Sequence, residues 1–282
     1  MLDNIKIVKQ IKIFIVLLLL PMAFGLRAQD FSPETYWQDV DFNDTTLLAS
    51  KLLSDKMTDF LYQYACCDEK SFDSLSIAGT GFILGKAKSN MRMYEYVIGF
   101  LLNGYSTMGK SQVVDYLLSY PMLLEGEISM EEGLRLDSIT EPYQKVKVGV
   151  KAPDVVGIAV DGKPYHLYES DADNILVVFW STDCEYCHEF LKDIRKSLNL
   201  KSEYELVTFA LADNQEEVLL TLKRLRVQGF HFYDALRWES KPFLDYHVTS
   251  TPTVFLLDKE KNIVCKPYDW YELKFYIDNN KY

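Results

Sequence analysis

Apolar residues follow two different periods along this chain. From about Phe31 to Tyr143 they recur every three to four positions. Leu47, Leu48, Leu52, Met57, Phe60 and Leu61 form one such set, Met93, Tyr96, Val97, Phe100 and Leu101 a second, and Val113, Tyr116, Leu117 and Leu118 a third. That spacing gathers them on one face of a helix. Asp44 or Thr45 is the expected N-cap of the first helix, and Pro121 closes the last. Breaks are expected at Gly79-Thr80-Gly81, Gly104 and Gly109. The pattern predicts an all-α region of several antiparallel helices.

From Val148 onward the texture changes. Asn174–Trp180, Glu205–Leu211 and Thr253–Leu257 are continuous apolar, β-rich runs. Strands apolar on both faces imply a covered sheet, as in α/β folds. Helices are expected at about 186–198, 215–227 and 270–279, between or after these strands. Val155–Val160 and Tyr165–Tyr168 flank Asp161-Gly162-Lys163, which predicts a hairpin with an Asp-Gly turn. The stretch 141–152, with Pro142 and Gly149, is the expected linker.

The first residues follow neither period. Lys6, Lys9 and Lys12 precede the apolar run Ile13–Leu20, which Pro21–Leu26 extends. The run is short for a membrane span of roughly 20 residues. It has the order of a secretory signal peptide, with a cut expected after Ala28. An uncleaved N-terminal anchor in the inner membrane is the alternative. The expected organisation is therefore 1–28 signal peptide, 29–145 helical domain and 146–282 α/β domain. Export would place the cysteines where disulfides persist, in the periplasm of a Gram-negative host.

Charge narrows the function. Among 282 residues the formal net charge is −11, and loss of 1–28 takes it to about −14. Such a chain repels phosphate backbones, which argues against nucleic acid as a partner. Five cysteines cannot all pair within one chain. Cys66 and Cys67 are adjacent, without the spacing of zinc ligands, and Cys265 follows Ile263-Val264 in an expected strand. Packing roles are expected for these three.

Cys184-Glu185-Tyr186-Cys187 lies where the strand ending at Trp180 gives way to a helix. Free N–H groups and the helix dipole at that point favour a thiolate on Cys184. Cys184 is thus the expected nucleophile. Cys187, three residues on and more buried, can close a disulfide with it and is the expected resolving thiol. Tyr186, between them, is expected to face solvent or a partner.

Phe179-Trp180-x-x-x-Cys184-x-x-Cys187 resembles the active site of the thioredoxin superfamily, and Thr251-Pro252 before Thr253–Leu257 resembles its cis-proline loop. The hairpin and Gly149–Asp154 are similar to exported members of the TlpA/ResA type. Tyr36-Trp37, Phe42 and Asp44-Thr45 resemble a helical domain of unknown function attached to many Bacteroidetes thioredoxin-like proteins. The resemblance implies a thioredoxin-like α/β fold: a central mixed sheet flanked by helices, with an N-terminal β-hairpin extension, preceded by a separate all-α domain. It also implies thiol–disulfide exchange with protein substrates, an upstream electron donor, and no cofactor or metal. Cys184 and Cys187 are then catalytic. Trp180, Glu185, Tyr186, Thr251 and Pro252 would bind substrate, Thr251 through its backbone.

Departures from the family carry chemistry. Val178 stands where a buried Asp is common, which removes the usual proton acceptor for the buried thiol. Asp183, Glu185 and Glu189 oppose the helix dipole, which should raise the Cys184 pKa and favour a reductant over a strong oxidant. Other readings compete for the same residues. Cys184-x-x-Cys187-His188 is also the c-type haem attachment pattern, though a buried strand leading into it favours the thioredoxin context. A partner-binding module on a thioredoxin scaffold with little turnover is the second alternative. Thr182 is expected to cap the helix, and His166, His231 and His247 show no metal-ligand spacing.

Overall fold

A computed structural model describes residues 31–64, 69–121, 128–198 and 203–279. The expected signal peptide, Cys66 and Cys67 lie outside the described residues. The chain divides into two compact units, Met1–Gly104 and Tyr105–Tyr282.

In the first unit the helices are α1 (Pro33–Tyr36), α2 (Lys51–Leu61), α3 (Glu69–Ala87) and α4 (Met91–Thr107), whose last residues enter the second unit. Asp44 does cap a helix, but a 3₁₀ turn over Thr45–Ala49; Ser50 caps α2, its Oγ accepting from Leu52 N at 3.1 Å. The buried face of α2 is Leu53, Met57, Phe60 and Leu61, whereas Leu52 is 63% exposed. Packing of Leu53 rather than Leu52 fixes the buried face, and Ser50 caps the helix that results.

Two expected breaks are interior to helices. Gly79-Thr80-Gly81 lies within α3 and Gly104 within α4. Close packing is the reason. A Cβ on Gly79 would sit 3.0 Å from Phe60 Cζ, and one on Gly104 2.3 Å from Leu61 Cδ1. Only Gly109, at φ +68, is a true break, between α4 and the next helix.

The second unit adds α5 (Ser111–Ser119) and α6 (Met130–Gln144). Ser129 and Glu132 form a capping box that starts α6. The expected linker is not a free connection. Pro142 lies inside α6, and 149–152 hydrogen-bonds along the sheet edge: Gly149 N to Ile263 O at 2.7 Å, Ile263 N to Val150 O at 2.8 Å, and Ala152 N to Lys261 O at 2.8 Å.

Strands β1 (Val156–Ile158) and β2 (Pro164–His166) form the antiparallel hairpin, with Gly162 at φ +86 in its turn. The main sheet contains β3 (Ile175–Ser181), β4 (Glu205–Leu211), β5 (Phe230–Tyr233), β6 (Thr253–Leu257) and β7 (Ile263–Cys265) in the order β5-β4-β3-β6-β7. The pairs β3–β4 and β4–β5 are parallel, and β3–β6 and β6–β7 antiparallel. The remaining helices are α7 (Glu185–Ser197), α8 (Gln215–Leu225), α9 (Lys241–Asp245) and α10 (Trp270–Asn279).

Alternation along β3 divides the core. Ile175, Val177 and Phe179 face the hairpin and α9, with Phe179 stacked on Phe209 at 4.9 Å. Leu176, Val178 and Trp180 face α7, α8 and α10. Each such side chain contributes roughly 1.5–3 kcal/mol of burial. A strand anchored on both faces gives the following residues, 182–184, a rigid starting point.

Candidate active site

β3 ends at Ser181 and α7 starts at Glu185, so Cys184 is the N-cap. Its backbone is extended (φ −95, ψ 101), and its Sγ accepts from Cys187 N at 3.1 Å. The helix thus directs an unsatisfied N–H at the sulfur, where negative charge develops on reduction. Thr182 is not the cap. It is buried, and its N and Oγ1 both reach Leu211 O, at 3.0 and 3.4 Å. That ties the turn to β4.

Cys184 and Cys187 are joined by a disulfide with Cα atoms 5.2 Å apart. Cys187 is fully buried; Cys184 is half-buried. The Thr251–Pro252 peptide is cis, and Cys184 Sγ lies 3.9 Å from Thr251 O. Thr251 and Pro252 are both partly exposed. Sulfur and a backbone segment therefore stand side by side at the surface, in reach of an extended chain.

The other expected site residues separate. Glu185 is exposed and Tyr186 is 50% exposed beside the sulfur. Trp180 is fully buried and packs with Cys187 and Phe190. It presents no surface to a docked substrate, because β3 turns it under the disulfide. Val178 lies in the same packed layer. Of the three acids expected to oppose the dipole, Asp183 and Glu185 are exposed, but Glu189 is paired. Its bond to Lys192 Nζ at 2.6 Å holds its carboxyl below the usual range.

Tyr268 and Tyr271 were not singled out by sequence. They follow β7, are 55% and 79% exposed, and stand near Tyr186. Burial chiefly, then Asp269 and these two tyrosines, push the Tyr186 hydroxyl pKa up. The aromatic run 268–271 was the available signal. Trp270 turns inward instead, edge-on to Phe190 at 6.4 Å.

His188 is half-buried and edge-on to Trp180, with ring centroids 6.1 Å apart. Burial first, then Arg224, lower its pKa. Cys265 is a free thiol in the layer packed against α7, and burial pushes it up to about 12. His166 bridges Asp154 at 2.7 Å and Glu169 at 2.9 Å. His231 is buried, against Thr208 Oγ1 at 2.8 Å. His247 packs on Tyr143 at 4.3 Å. Among the described residues no cluster of three His, Cys, Asp or Glu could hold a metal ion. A cleft of about 980 Å³ lies elsewhere, with Val156, Ile158, Phe209, Phe232, Phe243 and Leu244 in its lining.

Comparison with known proteins agrees with this geometry. Residues 165–265 match the family model described as a thioredoxin-like domain. The thiol–disulfide oxidoreductase ResA of Bacillus thuringiensis (strain Al Hakam) is 26% identical over 121 residues, covering 43% of this chain and 69% of that protein. The ResA of Bacillus cereus is 24% identical over 123 residues, covering 44% and 70%. A thioredoxin-like protein from Bacteroides caccae ATCC 43185 shares the fold at a TM-score of 0.60 and 18% identity, over 89% of this chain and 95% of that one. A parallel–antiparallel sheet that delivers a cysteine pair to the head of a helix, together with these relatives, identifies the C-terminal part of the chain as a thioredoxin-like domain of the thiol–disulfide oxidoreductase type.

Proposed function

We propose that this protein is an exported reductase of protein disulfides. Cys184 attacks a substrate disulfide and forms a mixed disulfide. Cys187 then attacks Cys184, closing the Cys184–Cys187 bridge and releasing the reduced substrate. The observation that carries this reading is the asymmetry of the pair. Cys184 is partly exposed at a helix N-terminus and beside Thr251 O, whereas Cys187 is sealed beneath it. The accessible sulfur has the helix N–H to stabilise a thiolate. Thr251 and Pro252 hold the substrate strand through the backbone, and Glu185 and Tyr186 contact its flanks.

Direction follows from local charge. Asp183 and Glu185 stay exposed next to Cys184, and a thiolate less stabilised by its surroundings means a more stable disulfide. Equilibration with glutathione buffers tests this. A potential near the DsbA value of about −120 mV would overturn the reductase reading. An upstream thiol donor returns the pair to the reduced form.

Export rests on the leader at 1–28, with the periplasm as the site of action; the thioredoxin-like domain is taken to begin near 146, inside the compact unit that runs from Tyr105. Among the described residues no helix is long and apolar enough to cross a membrane. N-terminal sequencing of the protein from its native host checks the cut after Ala28. Insulin reduction tests the chemistry: Cys184→Ser should abolish it, and equal turnover by wild type and variant would leave only a binding scaffold.

A further inference from the structure

The β1–β2 hairpin keeps one edge open. Leu167 N donates to Val155 O and Ala159 N to Lys163 O, both at 2.8 Å. Bonding alternates along an antiparallel pair, so Gly157 is the residue between them that faces β2, and Val156 and Ile158 turn their peptide groups to the other side. Pro164, in register with Ile158, has no N–H to give. At Val160 this outer edge meets the main sheet. Val160 N donates to His231 O at 2.7 Å, and among the described residues that is the only backbone hydrogen bond between the hairpin and the main sheet. Beyond it the two edges part. Ile158 in β1 and Tyr233 in β5 each stand two residues from this bond, and no backbone bond joins them.

Ile158 and Tyr233 both line the cleft of about 980 Å³, a size common to ligand sites. Its floor is aromatic: Phe232 stacks on Phe209 at 5.2 Å, and Phe243 of α9 belongs to the same layer. Its rim is apolar, with Val156, Ile158 and Leu244 exposed. Gly157 lets the strand lie on that floor, since a Cβ there would sit 3.2 Å from Phe232 Cε1. Ser240, also in the lining, is buried at the head of α9, and its side chain makes no capping bond.

Outward N–H and C=O groups at two-residue spacing are what an added strand pairs with, and a pocket beneath them takes its alternate side chains. The cleft opens at the end of the sheet that carries the disulfide. Ala210, in its lining, is in register with Trp180, and Leu211 O holds Thr182 N at 3.0 Å, two residues before Cys184. β5 lies two strands from β3, or about 10 Å, which about three to five extended residues span.

We propose that the cleft docks an extended, apolar segment of the protein substrate as an added strand on β1, beside the disulfide that Cys184 attacks. This rests on the reading of Cys184 as the attacker of protein disulfides. Val156 and Ile158 pair with the segment's backbone, the three phenylalanines take one of its side chains, and Ser240 Oγ supplies a further hydrogen bond.

Paired model substrates test it. One is a short peptide closed by a disulfide. The other carries the same disulfide and an extension of about six Val- and Thr-rich residues, made on either side of the cysteines. In the full-length protein, kcat/KM for the better extended version should exceed that for the short peptide about tenfold, chiefly through KM. Ile158→Pro removes the outward N–H and spares the bonds to β2, as Pro164 does opposite it. It should abolish the preference and keep the rate on the short peptide within about twofold. Equal rates on both peptides in the wild type overturn the proposal, as does a preference that survives Ile158→Pro. Hydrogen exchange on the wild type covers a variant that fails to fold and reads docking without chemistry. The extension peptide alone, free of cysteine, should slow exchange at the Val156 and Ile158 amides; unchanged exchange overturns the docking. If the wild type reduces neither peptide, the reductase reading falls, and the exchange measurement still decides the cleft.

Discussion

Among the buried histidines of the second unit, His231 should contribute most to its destabilisation at low pH. It lies on β5, buried, with Thr208 of β4 at 2.8 Å. Burial pushes its pKa from 6.5 down to about 4, against the opposing pull of the Val227 backbone and the Asp161 charge. The folded state therefore binds the proton less readily than the unfolded chain. The stability it contributes is complete above pH 6.5 and is lost as pH falls from there toward 4. A tenfold difference in proton affinity between the two states corresponds to about 1.4 kcal/mol. The loss specific to His231 should reach about 1 kcal/mol at pH 5.5 and about 2–3 kcal/mol at pH 4.5. Carboxylates also titrate in this range, so the informative quantity is a difference. Urea unfolding of wild type and His231→Gln at pH 7.5, 5.5 and 4.5, followed by tryptophan fluorescence, isolates it. Loss of the Thr208 partner shifts the variant by a pH-independent amount. The gap between the two proteins should then narrow or reverse by about 2–3 kcal/mol between pH 7.5 and 4.5. A gap constant across that range refutes a neutral, desolvated His231.

Other consequences are equally direct. Gly104→Ala gains about 1 kcal/mol of helix propensity. It also places a Cβ 2.3 Å from Leu61 Cδ1. Overpacking of about 1–3 kcal/mol should win, and a raised urea midpoint would show that it does not. Cys187→Ala should accumulate a mixed disulfide on Cys184, visible by intact-mass spectrometry after exposure to an oxidised protein substrate; an unmodified Cys184 contradicts the assigned roles. With its pKa raised from 9.0 to about 12, native Cys265 should alkylate about 10³-fold more slowly at pH 8 than in urea, read by peptide mapping. Tyr186→Ala should raise KM for insulin and leave kcat within twofold; an unchanged KM would remove Tyr186 from the docking surface.

Much of the C-terminal fold was legible along the chain. The runs over 175–181, 205–211 and 253–257 carry both faces of a covered sheet in their composition, and the Asp-Gly turn marks the hairpin. The cysteine pair declared itself through its strand-to-helix context, since the chemistry needs residues only three apart. Local capping was less legible. Several Ser, Thr and Asp side chains can cap, and which one does is settled by the packing of the helix that follows, as at Ser50 and Cys184.

Only the tertiary structure decided matters that depend on neighbours distant in sequence. Glycine reads as a break along the chain, yet Gly79 and Gly104 are interior because Phe60 and Leu61 press against them. Residues 149–152 read as a linker until the edge of β7 supplies their hydrogen-bond partners. Trp180 reads as a substrate contact, but the alternation of β3 turns it beneath the disulfide. Glu189 reads as free negative charge, and Lys192 neutralises it. Sequence by itself determined which groups the site contains, because strand, turn and helix are written in local periodicity. Burial, pairing and protonation were decided by the fold, because they depend on what packs against each group from elsewhere in the chain.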